Sequence, residues 1–213
     1  MTRGLFLTFE GSEGCGKTTQ IGLLHEHLQA AGQAALLVRE PGGTTLGEEV
    51  RELLLKHPAD REPITAECEL LLFAASRAQL VREKIAPALA AGTHVIADRF
   101  YDSTTVYQGY GRGLDLIAIS QLNAFAVGSS HPDLTFLLDM DAAEAHARAH
   151  HRSDGQLDRM ESEPMAFYEQ VRTGYLHLAR ESKHRVMTLD ATAPPEALAA
   201  EIWSIVQTRL ARA

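Results

Sequence analysis

Residues Gly11–Thr18 read Gly-Ser-Glu-Gly-Cys-Gly-Lys-Thr, a full match to the phosphate-binding spacing G-x-x-x-x-G-K-[ST]. Glycines at these positions let backbone N–H groups converge on phosphate oxygens, and a following helix adds the positive end of its dipole. Lys17 has the charge and reach for β- and γ-phosphates, and the Thr18 hydroxyl suits Mg2+. Gly11, Ser12, Glu13, Gly14, Cys15, Gly16, Lys17, Thr18 and Thr19 are therefore expected to form the nucleotide cradle. Asp98, which ends an apolar run, is the expected second Mg2+ ligand. Two residues sit oddly in such a loop. Glu13 places a carboxylate beside the phosphates it should repel, and Gly14 adds no cation where one would help.

The cradle specifies a nucleoside triphosphate and leaves two classes open, a hydrolysing switch or motor and a phosphotransferase. A guanine switch needs an Asn-Lys-x-Asp base reader, but the only asparagine, Asn123, is followed by alanine. Asp98 is followed by Arg-Phe-Tyr, with no glycine where a γ-phosphate sensor loop requires one. Both absences favour the phosphotransferase.

Five β-leaning apolar runs must position these groups: Leu5–Glu10, Ala34–Glu40, Thr93–Arg99, Leu134–Asp139 and Arg185–Asp190. Runs this apolar suit strands buried on both faces of a parallel sheet. Helical patterns lie between them. Ile21, Leu24 and Leu28 recur at helix spacing until Gly32, Thr65 can cap a long helix closing near Gly92 and bent by Pro87, and Pro194-Pro195 opens a last helix. Alternating strands and helices predict a three-layer α/β/α sandwich with its ligand site beyond the carboxyl ends of the strands. At 213 residues with no linker or repeat, residues 1–213 read as one domain.

A formal charge of −8 argues against nucleic-acid or membrane binding, since both need a basic surface. The first apolar run is too short for a signal peptide, and neither Cys15 nor Cys68 has disulfide or zinc spacing. A cytoplasmic protein with free thiols is expected. Cys15 is a candidate reactive thiol because it sits among loop N–H donors.

Further segments narrow the reading: Arg39–Arg51 (REPGGTTLGEEVR), Leu71–Leu80 (LLFAASRAQL), Asp98–Leu114 (DRFYDSTTVYQGYGRGL), LDRMESE and VRTGYLHLA. In order with the cradle, they resemble the thymidylate kinase family in its bacterial form. The resemblance implies a P-loop nucleoside-monophosphate kinase fold with a five-stranded parallel sheet and a lid at about 141–160. It also implies transfer from Mg·ATP to dTMP, with the nucleotides as the only small-molecule partners, and a homodimer. A kinase for another nucleoside monophosphate, such as dUMP or a cytidine nucleotide, stays open, as does a P-loop ATPase or GTPase.

Phe73 and Arg77 fall i, i+4 on one helix face, where a ring can stack on a pyrimidine while a guanidinium donates to its carbonyl edge. The alternative is a core phenylalanine with a solvated arginine. Arg99 is the expected clamp on the acceptor phosphate, joined by Arg39 or Arg51, and Thr104 and Gln108 are expected at the base edge. The resemblance sets Tyr107 against the sugar and turns Glu13 toward its 3′-hydroxyl, away from the triphosphate. With Gly14 in the loop, it also assigns the transition-state charge to lid arginines, for which Arg148 and Arg152 are at i, i+4 and Arg159 follows. Lys17, Arg99, Arg148 and Arg152 are thus the expected catalytic residues. His146 and His150 share the i, i+4 spacing, which suits a pH-sensitive lid charge better than a metal site.

Overall fold

The computed structural model describes residues 3–55, 63–152, 158–160 and 162–211, with Arg152 described by its backbone only. Five strands, β1 (Phe6–Glu10), β2 (Ala35–Arg39), β3 (His94–Asp98), β4 (Leu134–Asp139) and β5 (Val186–Asp190), form one sheet in the order β2-β3-β1-β4-β5. All four pairings are parallel, with Phe9 level with Asp98 on one side and Phe136 on the other. The helices are α1 (Lys17–Ala30), α2 (Thr45–Leu55), α3 (Ala66–Leu80), α4 (Ala86–Ala90), α5 (Tyr101–Thr104), α6 (Leu116–Val127), α7 (Ala142–Arg152), α8 (Met165–Glu181) and α9 (Pro195–Leu210). The layers and strands are those expected from the apolar runs.

Alternation along β1 explains the three layers. Leu5, Leu7 and Phe9 pack with Ile21, Leu24 and Leu28 of α1 and Leu198, Ile202 and Val206 of α9. Phe6 points the other way, into Leu80, Val81, Ile85 and Leu89. A third cluster joins Val106 and Tyr107 to Phe167, Val171 and Tyr175 of α8. Each fully buried side chain of this size contributes ~1.5–3 kcal/mol, so a sheet packed on both faces gives the loops at its carboxyl edge a rigid base.

Local signals set the helix ends. Thr65 caps α3 by accepting the Cys68 N–H at 3.3 Å, and Asp115 caps α6 by accepting that of Ala118 at 2.7 Å. Where Pro87 is expected to bend or shorten the helix end, a π-helical turn, Val81–Ile85, lies between α3 and α4, with the Ala86 N–H bonded to the Val81 carbonyl. Proline has no N–H for the residue 83 carbonyl, and the widened turn absorbs that mismatch without ending the helix. A second π turn, Thr105–Gly111, extends α5 and carries Tyr107 and Gln108 into the site. Neither apolar run nor cap signal pointed to α2, whose first half falls in the Arg39–Arg51 segment picked out by resemblance.

Candidate active site

The phosphate loop leaves the carboxyl end of β1 and opens α1 through Gly16, whose left-handed backbone (φ 91°) only glycine adopts freely. The Lys17 ammonium donates to the Gly11 carbonyl at 3.1 Å and the Ser12 carbonyl at 2.8 Å, bracing the loop. Burial and Arg99 disfavour its charge, but Cys15, Glu13 and Asp98 outweigh them and raise its pKa, so it stays cationic. Glu13, Gly14, Gly16, Lys17, Thr18 and Thr19 line a cleft of about 820 Å³, while Gly11, Ser12 and Cys15 are set back from it. The Cys15 side chain is buried in the α1 core cluster, so the accessible thiol its sequence neighbours suggest does not form; Cys68 is the exposed one.

Gly14 has a specific reason to lack a side chain. A Cβ there would lie 2.3 Å from the Ala145 carbonyl oxygen and 2.9 Å from the Ala149 nitrogen, because α7 rests directly on the loop. The helix takes the space an arginine would need, and it brings Arg148 to the cleft wall.

Arg39, Arg51, Phe73, Arg77, Asp98, Arg99, Thr104, Tyr107, Gln108 and Arg148 all line the same cleft. Arg77 is 1% exposed, so the solvated alternative does not hold. Its Nε donates to Glu40 at 2.8 Å, Nη1 to the Asn123 side-chain oxygen at 2.9 Å and Nη2 to Thr104 Oγ1 at 2.7 Å. Four elements therefore lock one guanidinium, and burial raises the Glu40 pKa against the pull of Arg77. Gln108 is fixed as well: its amide nitrogen donates to Glu69 at 2.8 Å, and Glu69 also takes bonds from Arg112 and Arg159.

Arg99 occupies the left-handed region at φ 67°, the one non-glycine residue among those described to do so. Its Nη2 meets Glu13 at 2.6 Å and the Tyr107 hydroxyl at 3.2 Å, and its guanidinium lies 5.1 Å from the Tyr107 ring centre. Burial opposes its charge, yet the surrounding Tyr107, Glu13, Tyr175 and Glu10 lift its pKa well above the usual arginine range. Glu13 is thus turned to Arg99 through that 2.6 Å pair. Arg51 donates to the Pro41 carbonyl at 3.0 Å, and Arg39 pairs at the surface with Glu48 at 2.8 Å.

On α7, Arg148 is half exposed and pairs with Glu144 at 2.6 Å. The Arg152 side chain lies outside the described residues. Arg159 is committed elsewhere, to Glu69 and to the Leu54 carbonyl at 2.7 Å, and holds residues 158–160 against α2 and α3. His146 and His150 face each other with Nε2 atoms 3.1 Å apart, and burial followed by His150 lowers the His146 pKa. Sequence reasoning missed Glu10, Glu40, Glu69, Ser103 and Tyr175. Glu40, Ser103 and Tyr175 stood only inside longer segments, and the side chains of all five act by holding other residues of the site, for which a single sequence gives no spacing rule.

The thymidylate kinase family profile matches residues 9–202. The chain is 49% identical to the thymidylate kinase of Deinococcus radiodurans over 98% of its own length and 99% of that protein's. The chain belongs to the thymidylate kinase family. A second member, from Prosthecochloris aestuarii, is 45% identical over 96% of this chain and 94% of its own. The crystal structure of thymidylate kinase from Ehrlichia chaffeensis superposes with a TM-score of 0.76 at 35% identity, covering 96% of this chain and 99% of that one. Family membership and fold therefore agree on a P-loop kinase.

Proposed function

We propose that residues 1–213 act as one catalytic domain, with α7 in its lid, that transfers the γ-phosphoryl group of ATP to dTMP. An oxygen of the dTMP phosphate forms the new bond to the γ-phosphorus as the bond to the β,γ-bridging oxygen breaks, giving dTDP and ADP. The observation that carries this reading is the acceptor half of the cleft: buried Arg77 beside Phe73, with Thr104 and Gln108, opposite the phosphate loop.

The locked polarity of this half selects a base. Gln108 gives its amide nitrogen to Glu69, which leaves its oxygen to accept an N–H. Thymine offers N–H at its 3-position, whereas cytosine offers a lone pair that this oxygen repels. Thr104 accepts from Arg77 and keeps its own proton to donate to a carbonyl. Phe73 supplies the stacking face, and Tyr107, tied to Arg99, stands where a ribose 2′-hydroxyl would project. Arg99, with Arg39 and Arg51 nearby, holds the acceptor phosphate, and Glu13 accepts from the 3′-hydroxyl.

Thr18 and Asp98 both line the cleft and carry the hard oxygen donors that Mg2+ takes. Bound there, Mg2+ would neutralise triphosphate charge. With a panel of monophosphates, dTMP is expected to give the highest kcat/KM, dUMP less, and dCMP and purine nucleotides about 10²-fold less or worse. Equal use of dCMP and dTMP would overturn the base assignment.

We also infer a cytoplasmic homodimer. No helix among the described residues is long and apolar enough to cross a membrane. The packed pair α3 and α6 exposes Leu71, Leu116, Ile117 and Phe125, the last 81% exposed, and large apolar side chains exposed on two neighbouring helices support a self-complementary interface. Phe125→Glu is expected to convert the dimer to monomer by light scattering with its circular dichroism unchanged; an unaltered mass would remove this face from the interface.

A further inference from the structure

Glu10 is the last residue of β1, 1% exposed, and its carboxylate lies behind the cleft wall, outside the lining residues. Its Oε1 accepts the Phe100 N–H at 2.8 Å, and its Oε2 accepts from the Ser103 hydroxyl at 2.5 Å and the Tyr175 hydroxyl at 2.9 Å. Both hydroxyl oxygens also receive Arg99 Nη1, at 3.1 and 3.2 Å. A carboxylate accepts and cannot donate, so an O–H that points to Glu10 leaves its oxygen lone pairs for Arg99; the two hydroxyls also lie 2.8 Å apart, where without that acceptor one would donate to the other. The Phe100 N–H adds a hold on the backbone just after the left-handed Arg99.

We propose that Glu10 is a positioning residue of the reaction, whose carboxylate orients the Ser103 and Tyr175 hydroxyls so that Arg99 is set for the acceptor phosphate. The inference rests on reading Arg99 as the acceptor-phosphate clamp. An uncharged group at position 10 that donates a hydrogen bond would reverse at least one hydroxyl and turn its proton toward the guanidinium.

The polarity is therefore pH-dependent. Burial, then the Asp102 carboxylate, push the Glu10 pKa up to about 7, against Arg99, Ser103 and the Phe100 N–H. The other titratable groups that sense Glu10 are Tyr101, Tyr175 and Arg185, and Arg185 neutralises Asp102 through a 2.6 Å ion pair. Above about pH 7 Glu10 is the acceptor described, and below it the carboxyl carries a proton. A pKa raised on folding means this group favours the folded state more as pH falls from about 7 toward the ordinary carboxyl range. Protonation of Glu10 therefore weakens the clamp while this group's own contribution to folding rises.

Glu10→Gln, Tyr175→Phe and Arg99→Lys test this against the wild type, with kcat/KM for dTMP measured from about pH 6 to about pH 9 at saturating ATP. The ratio of wild type to Glu10→Gln cancels the ionisation of the dTMP phosphate itself. It is expected to be about tenfold at the alkaline end and to fall toward unity at the acid end, with KM for ATP unchanged. A ratio of one throughout, or a loss independent of pH, would overturn the proposal. Tyr175→Phe keeps the core ring and is expected to raise KM for dTMP by about threefold or more; an unchanged KM overturns the relay even if Glu10→Gln does not fold. If Arg99→Lys raises KM for dTMP while Glu10→Gln does not, the positioning role alone fails. If Arg99→Lys leaves that KM unchanged, the clamp reading fails with it.

Discussion

Arg148→Ala or Arg152→Ala is expected to lower kcat by about 10³-fold, with dTMP affinity nearly unchanged, because arginines at a transferring phosphoryl group contribute about 10³–10⁵ in rate. Gly14 is the structural reason. The loop cannot carry a guanidinium there, since even a Cβ would strike the α7 backbone at 2.3 Å. The helix that excludes it presents Arg148 to the cleft. The Arg148–Glu144 pair is solvent-exposed, and such pairs contribute little, so this side chain is easily given up to a ligand. Arg159 cannot take the role from its present place, because Glu69 and the Leu54 carbonyl hold it. Lysine at position 148 or 152 keeps charge but loses the planar fork and should recover little of the rate. Stopped-flow and steady-state kinetics of the four variants read this directly. Near-normal kcat in both alanine variants would contradict the lid assignment, and a loss confined to KM for ATP would assign these residues to ground-state binding.

Lys17→Ala is expected to lower kcat by about 10²–10³-fold and to weaken ATP more than dTMP, as removal of one preorganised electrostatic donor does elsewhere. Its ammonium donates to the Gly11 and Ser12 carbonyls, so a ligand phosphate only has to compete with two loop acceptors. Those bonds brace a loop and carry no core packing. The variant should stay folded by circular dichroism, which separates a catalytic loss from a structural one. Turnover at the wild-type rate would contradict the cradle assignment.

The sheet was legible because its signals are local. Continuous apolar runs mark two-sided burial, and Thr65 announces a helix by its own chemistry. The phosphate loop was legible for the same reason, as its residues are contiguous. The acceptor side was legible only through resemblance. Phe73 and Arg77 look like any amphipathic helix pair until Glu40, Asn123 and Thr104 arrive from other elements to bury the guanidinium. Glu10 was invisible for a related reason. It ends a strand as a charged residue should, and only the fold brings Ser103 and Tyr175 to it from far along the chain. Cys15 shows the opposite case. Its neighbours suggested reactivity, but the turn into α1 points the thiol into the core.

The most direct test of the account is ATP turnover measured with and without dTMP, following ADP, dTDP and inorganic phosphate together. The expected result is ADP release that depends on dTMP, with one dTDP formed per ADP and little inorganic phosphate. Release of ADP and inorganic phosphate at the same rate without dTMP would show a hydrolase, and would contradict the assignment of the second half of the cleft to a phosphoryl acceptor.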